Sequence, residues 1–231
     1  MQGQQGWVDR FVLLRVARMR KKVWIVGLLF CLFSVATRGA DLPAGKTLVL
    51  YGNKSGATAC IERHGADGAG NAAAVFPRLA GLNADYLTKQ LHDYRNGKRS
   101  EPVMQPIAKA LSDIEVENVA AYFAAQRVTT TAAVDDKARW AQGERIALTG
   151  FWDHDVPACI SYHGPGGRGV GVYFPKLAGQ HASYISKQLK AWRVGARAND
   201  PQALMKGIAQ RLPESEVDAV AAYLASLPPA K

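Results

Sequence analysis

Cysteine is scarce in this sequence, with only three in 231 residues. Small domains that depend on several disulfides are therefore excluded. Cys31 lies in an N-terminal apolar run, which leaves Cys60 and Cys159 in the rest of the chain. Two cysteines are compatible with one disulfide, and equally with two separate sites that each use a single thiol.

Long apolar runs are also missing. The run at 23–35 has thirteen residues, whereas a membrane-spanning helix needs about 20. Basic residues precede this run and small residues follow it, which is the pattern of a secretory signal peptide. We therefore expect residues 1–40 to be an export signal and the mature protein to be periplasmic, with membrane association that is at most peripheral.

The sequence offers more than one cleavage position for this leader and a second candidate for its first residue. Ala36 and Ala40 are the candidate cleavage positions, and Met19 is a candidate start. Residues 1–18 precede the basic cluster and add nothing that a signal peptide requires.

Acidic residues are fewer than basic ones, 19 against 29, but most of the excess lies in the leader. Residues 1–40 carry seven of the Lys and Arg and one of the Asp and Glu, so without them the net charge falls from +10 to +4. No basic stripe interleaved with aromatic residues remains, which excludes a nucleic-acid-binding protein. A mildly positive protein can still be steered towards acidic partners.

The chain beyond the leader is an internal duplication. The block at 76–81 returns at 174–179 with an offset of 98, and the block at 119–122 returns at 220–223 with an offset of 101. Residues 127–137 show no periodicity, so we interpret them as a linker.

Each half is predicted to be a small helical domain, one at 41–128 and the other at 129–231. Helices at 45–50 and 143–148 are predicted to open the two halves, and apolar residues at helical spacing predict further helices at 83–96 and 183–194. Ser112 and Glu115 form a capping box for the last helix of the first half. Gly- and Pro-rich loops at 65–77 and 164–175 separate the helices, and no alternating stretch is long enough for a sheet. The predicted fold is all-α with long loops.

A residue that performs the same task in both halves should recur at matched positions. Applied to His, Cys and Met, this test keeps one of each per half. The matched residues are Cys60, His64 and Met104 in the first half and Cys159, His163 and Met205 in the second. An isolated buried His or Met is more often a packing residue, so the recurrence is what favours a ligand role.

These residue types suit a haem. Residues at i and i+4 share a face of a helix, so the Cys and His side chains can both reach the same bound group. A thiol can add to a vinyl group, the imidazole can bind the iron, and a Met from a distant loop can fill the other axial position. Iron held by His and Met has a raised potential and is suited to electron transfer.

The repeated Phe-Pro-Arg/Lys-Leu-Ala-Gly block, the Tyr-containing helix after it, and Pro-Val-Met-Gln-Pro-Ile-Ala around Met104 resemble the cytochrome c4 family. These proteins are tandem di-haem class I cytochromes c, and the likeness covers about residues 41–228. It implies two cytochrome c-like helical domains, each holding a haem c, that carry electrons in the periplasm from a cytochrome bc-type donor towards a terminal oxidase.

The resemblance also assigns roles to residues. The histidines become proximal ligands, the methionines distal ligands, the cysteines attachment points, and two prolines become loop residues whose carbonyls orient the histidines. The proximal ligands are thus His64 and His163, and the distal ligands are Met104 and Met205. The attachment points are Cys60 and Cys159, and the loop prolines are Pro77 and Pro175.

The sequence departs from the family pattern Cys-x-x-Cys-His, because Arg63 and Tyr162 replace the second cysteine of each motif. Each haem can form at most one thioether, so attachment through one cysteine and noncovalent binding both remain open. A guanidinium at this position needs solvent or a polar partner. Tyr162 can pack against an aromatic ring.

We predict an electron carrier rather than an enzyme. One alternative is a haem-free or haem-deficient remnant that acts as an interaction module, for which the missing cysteines are the only support. A second is a di-haem peroxidase-like enzyme, which needs an open axial position; the two methionines argue against it.

Overall fold

A computed structural model describes residues 39–129 and 132–229, so the predicted export signal lies almost wholly outside the described residues. This part of the chain contains ten α-helices and, instead of strands, isolated β-bridges. The first half contains α1 (Leu42–Tyr51), α2 (Ile61–His64), α3 (Ala84–Arg95), α4 (Met104–Ala110) and α5 (Asp113–Ala125). The second half contains α6 (Lys137–Thr149), α7 (Ile160–His163), α8 (Ala182–Arg193), α9 (Leu204–Arg211) and α10 (Glu214–Ser226).

The five helices of the first half recur in the same order in the second. Three of the five pairs have equal lengths: α2 and α7 have four residues each, α3 and α8 have twelve, and α5 and α10 have thirteen. The predicted all-α fold is therefore confirmed.

Polar side chains fix where α3 and α5 begin. Asn83 accepts a hydrogen bond from the Tyr86 amide at 2.9 Å, so α3 starts within a residue of its expected position. The predicted capping box of Ser112 and Glu115 is present at the start of α5. Such caps satisfy amide groups that have no partner within the helix.

Two helices, α1 and α6, begin earlier than predicted. Asp41 caps α1 and Asp136 caps α6, each by accepting a bond from an amide three residues later. As a result α6 starts at Lys137, six residues before the expected 143, and the linker ends where this helix begins. An aspartate cap marks the first residue of a helix, which the spacing of apolar residues alone does not show.

The terminal helices of each half cross at a glycine. A Cβ atom at Gly45 would overlap the carbonyl of Asn118, and one at Gly143 would overlap the carbonyl of Ala219. The lack of a side chain therefore lets α1 lie close against α5, and α6 against α10. The helix backbones meet at the same repeat position in both halves.

Each half has its own hydrophobic cluster, and the fully buried side chains include Val116 and Phe123 in the first half and Val217 and Leu224 in the second. No helix within 39–129 or 132–229 is long and apolar enough to span a membrane.

Candidate functional site

The matched cysteines and histidines lie at the two ends of the short helices α2 and α7. Cys60 precedes α2, and its carbonyl accepts a bond from the His64 amide at 2.9 Å; Cys159 and His163 show the same arrangement at 2.9 Å. One helical turn thus separates each pair. The segment is helical, which is the condition under which the i and i+4 side chains share a face.

The two histidine rings are buried and oriented by proline carbonyls. Nδ1 of His64 lies 3.0 Å from the carbonyl oxygen of Pro77, and Nδ1 of His163 lies 2.8 Å from that of Pro175. Since a carbonyl only accepts, Nδ1 carries the proton and Nε2 keeps its lone pair. Burial, partly offset by these bonds, lowers the pKa of both histidines, so the neutral ring persists to lower pH.

The methionines lie at the start of helices rather than in loops. Met104 is the first residue of α4 and Met205 is the second residue of α9. The expectation of a loop methionine was therefore wrong: α4 begins at Met104 and α9 one residue before Met205, each after a short segment that contains proline. Met104 packs against the first hydrophobic cluster and Met205 against the second.

A single cleft brings the predicted site residues of both halves together. Its free space is about 1860 Å³, part of which is open to solvent, and its walls are mainly apolar side chains. All eight predicted residues line it: Cys60, His64, Pro77 and Met104 from the first half, and Cys159, His163, Pro175 and Met205 from the second.

Both cysteines are free thiols, so the disulfide alternative is not what the structure shows. Burial raises the pKa of Cys60 and Cys159 to about 11, which keeps both thiols protonated at neutral pH. In the described part of the chain, no three His, Cys, Asp or Glu side chains converge as they would around a metal ion held by protein alone.

Arg63 and Tyr162 also line the cleft. Nη1 of Arg63 lies 3.2 Å from Oγ1 of Thr58 and 3.5 Å from the carboxylate of Glu62, and its side chain is 26% exposed. It therefore has the partners and the solvent contact that its charge requires. The Tyr162 ring packs against Phe174 with centroids 5.7 Å apart.

Sequence reasoning missed a second group of polar residues in this cleft. Arg99 and Arg197 are buried side by side with glutamine and tyrosine partners from both halves. The two arginines are 98 positions apart, which is the offset of the repeat. The matching test would have found them had it been applied to Arg as well as to His, Cys and Met.

Comparison with known proteins places the chain in a family. The protein-family model for cytochrome c matches residues 141–228. A thiosulfate dehydrogenase electron acceptor of Stutzerimonas stutzeri is 47% identical over 204 residues, 88% of this chain and 94% of that protein. Cytochrome c4 of Pseudomonas aeruginosa is 40% identical over 173 residues, 74% of this chain and 85% of that protein. The chain belongs to the cytochrome c4 family.

Solved structures agree with this membership. A crystal structure of reduced recombinant cytochrome c4 from Pseudomonas stutzeri has a TM-score of 0.72 and 36% identity, covering 81% of this chain and 99% of that one. A thiosulfate dehydrogenase (TsdBA) from Marichromatium purpuratum has a TM-score of 0.76 and 43% identity, covering 81% of this chain. That protein is larger, since the match spans 40% of its chain.

Cytochrome c4-family membership confirms the resemblance seen in the sequence and the electron-carrier function that it implied. The cofactor of this family is haem c, and the residues present fit it. The cleft is apolar, two buried neutral imidazoles line it, and Nε2 of each has no hydrogen-bond partner among the described residues. A thioether and a thiol from each half complete the donor types that a haem uses.

Proposed function

We propose that this cytochrome c4-family protein is an exported carrier of single electrons that holds two haems, each attached through one thioether. The observation that carries the proposal is the recurrence of one Cys, one His and one Met per half along the wall of a common cleft. Bound haem supplies an iron centre that gains and loses one electron.

Each residue of the site would have a separate role in binding the haem. His64 and His163 would bind the haem iron through Nε2. The carbonyls of Pro77 and Pro175 hold the proton on Nδ1 and fix the orientation of each ring. The methionines 104 and 205 supply the second ligand of each site, which raises the potential. The mainly apolar walls of the cleft favour the apolar faces of a haem over water.

Attachment through one cysteine is favoured over noncovalent binding because Cys60 and Cys159 recur at matched positions and line the cleft. Both thiols are partly buried and form no disulfide, so each is available for a thioether bond. The positions that lack the second cysteine hold side chains that line the same cleft and have contacts of their own, with Thr58 and with Phe174.

A pyridine haemochrome spectrum tests this proposal, because its band position reports how many vinyl groups have become thioethers. The protein is exported in a host with haem-attachment machinery and purified without reductant. We expect a band midway between those of free haem and doubly attached haem. A band at the free-haem position would exclude covalent attachment. Well-folded protein without haem would exclude the carrier function and favour the haem-free interaction module.

The two alternatives to a carrier receive less support. A di-haem peroxidase-like enzyme needs an iron with an open position, whereas Met104 and Met205 both line the cleft. A haem-free remnant would have no use for two histidines that are buried and oriented by carbonyls. We therefore favour electron transfer without catalysis by this chain itself.

We further propose that the protein works in the periplasm and accepts electrons from a thiosulfate dehydrogenase. Two relatives named as electron acceptors of that enzyme are 47% and 46% identical to this chain, compared with 40% for the cytochromes c4 of Pseudomonas aeruginosa and Thiocapsa roseopersicina. A terminal oxidase remains the proposed acceptor, and a cytochrome bc-type complex is the competing donor.

Stopped-flow mixing distinguishes these donors. With purified thiosulfate dehydrogenase and thiosulfate, we expect reduction at least tenfold faster than with a cytochrome bc-type complex and its quinol. Omitting thiosulfate is the control and should leave the protein oxidised. Faster reduction by the bc-type complex would reverse the assignment.

A further inference from the structure

The segment that leads to Met205 contains the insertion that distinguishes the two repeats. Arg99 and Arg197 match at an offset of 98, whereas Met104 and Met205 match at an offset of 101. The three additional residues of the second half therefore lie between Arg197 and Met205. The second half reaches its methionine by a longer path than the first.

Two residues just before Met205 have a strained backbone. Gln202 has a φ of 54° and Ala203 a φ of 56°, both in the left-handed region. A residue with a Cβ atom incurs a steric cost there, and neither glutamine nor alanine has the short polar side chain that offsets this cost for asparagine and aspartate. A rearrangement of the segment releases this strain. It also moves Met205, because only Leu204 separates the methionine from Ala203.

The two ends of this strained segment are fixed. On one side, the carbonyl of Asn199 accepts a hydrogen bond from Nζ of Lys89 at 2.9 Å. On the other side, Ile208 and Ala209 are buried in the hydrophobic cluster of the second half. A rearrangement that releases the strain is therefore confined to residues 200–207, which include the methionine.

Met104 is held differently in the first half. The carboxylate of Glu101 accepts hydrogen bonds from the amide of Val103 at 2.8 Å and from the amide of Met104 itself at 3.1 Å. Val103 has a φ of −79°, in the ordinary helical region. In the second half, the carboxylate of Asp200 instead binds the amide of Lys206, the residue after the methionine. Met104 thus begins a capped helix without backbone strain, whereas Met205 follows a strained turn.

The strain beside a methionine is specific to the second half. Among the described residues, the other non-glycine residues with a positive φ are Val75 and Asp155. Val75 precedes Pro77 on the histidine side of the first half, and Asp155 lies in the loop before Cys159. Neither of them adjoins Met104.

We propose that Met205 is a displaceable ligand and that the second half binds a small neutral donor molecule, such as imidazole, in its place, whereas Met104 stays bound. The inference rests on the proposed function, since it requires a haem in each half. Without such a molecule both methionines remain ligands. The exchange transfers no electron, because a thioether leaves with its lone pair and a nitrogen supplies another. Release of the strain at Gln202 and Ala203 favours the exchange in the second half.

Imidazole titration of the oxidised, haem-loaded protein tests this difference. The absorbance that marks methionine-bound haem should fall in two steps of equal size. The second step should need about tenfold more imidazole, because the first methionine has no strained residues beside it. Met205→Ala should lack the first step and Met104→Ala the second.

Ala203→Gly tests whether the strain is the cause. Glycine adopts a positive φ without the steric cost, so Met205 should be held more tightly and the first step should need about threefold more imidazole. Ala133→Gly is the matched control, because this exposed linker alanine has no positive φ and does not line the cleft. It should leave both steps unchanged. Ala203→Gly removes only a methyl group, so it also serves if the methionine variants lose their haem.

Three results would overturn the inference while the haem spectrum still supports the carrier. They are a single step, a first step that persists in Met205→Ala, and equal shifts in Ala203→Gly and Ala133→Gly. Protein without haem would overturn both proposals.

Discussion

Replacing His163 with glycine is expected to remove the axial imidazole from the second half and leave the first half intact. The absorbance of low-spin, six-coordinate haem should fall by about half, because the two sites are separate repeats of one motif and the lost ring supplies one ligand of one site. His64→Gly should produce the same loss from the other half. The double variant should retain no six-coordinate haem.

Imidazole rescue shows whether the loss reflects ligation. Deleting a buried ring also removes packing and costs about 3 kcal/mol of stability, so lower yield alone proves little. Free imidazole fits the space left by the ring and should restore the low-spin spectrum of His163→Gly. His154→Gly is the control, because this histidine has no match in the repeat and stacks on Phe151 outside the cleft. If His163→Gly kept both low-spin sites, the ligand assignment would be wrong.

The helical fold could be predicted because apolar spacing and capping residues are local signals, and the duplication could be predicted because blocks of sequence recur at offsets of 98 and 101. Ser112 and Glu115 formed the expected capping box, and Asn83 capped α3 within a residue of its predicted start. The starts of α1 and α6 were missed because a single aspartate, rather than apolar spacing, begins each helix.

The matching test found the Cys, His and Met positions because a site used twice keeps the same residue types in register. It did not reveal the arginine pair. Arg99 and Arg197 become neighbours only when the two halves meet, and charged residues are ordinarily expected on the surface. Contacts between halves are long-range, so neither periodicity nor capping within one half indicates them.

Restoring the second cysteine is expected to change haem attachment completely. In Arg63→Cys and Tyr162→Cys together, each short helix regains a thiol directly before its histidine, as in the family pattern Cys-x-x-Cys-His. The pyridine haemochrome band should move from the midway position to that of doubly attached haem. Glu62→Cys is the matched control, because it places a thiol in α2 on an exposed side chain one residue too early and should leave the band unchanged.

The two single variants should differ in stability. A second covalent link restrains the unfolded chain and, by analogy with a disulfide, is worth about 2–3 kcal/mol. Arg63→Cys should gain most of this, because Arg63 is partly exposed and its weak contacts with Thr58 and Glu62 contribute little. Tyr162→Cys should gain about 1 kcal/mol less, because it loses the ring contact with Phe174. Urea unfolding of the haem-loaded variants measures the difference. A larger gain for Tyr162→Cys would show that Arg63 stabilises the native haem site.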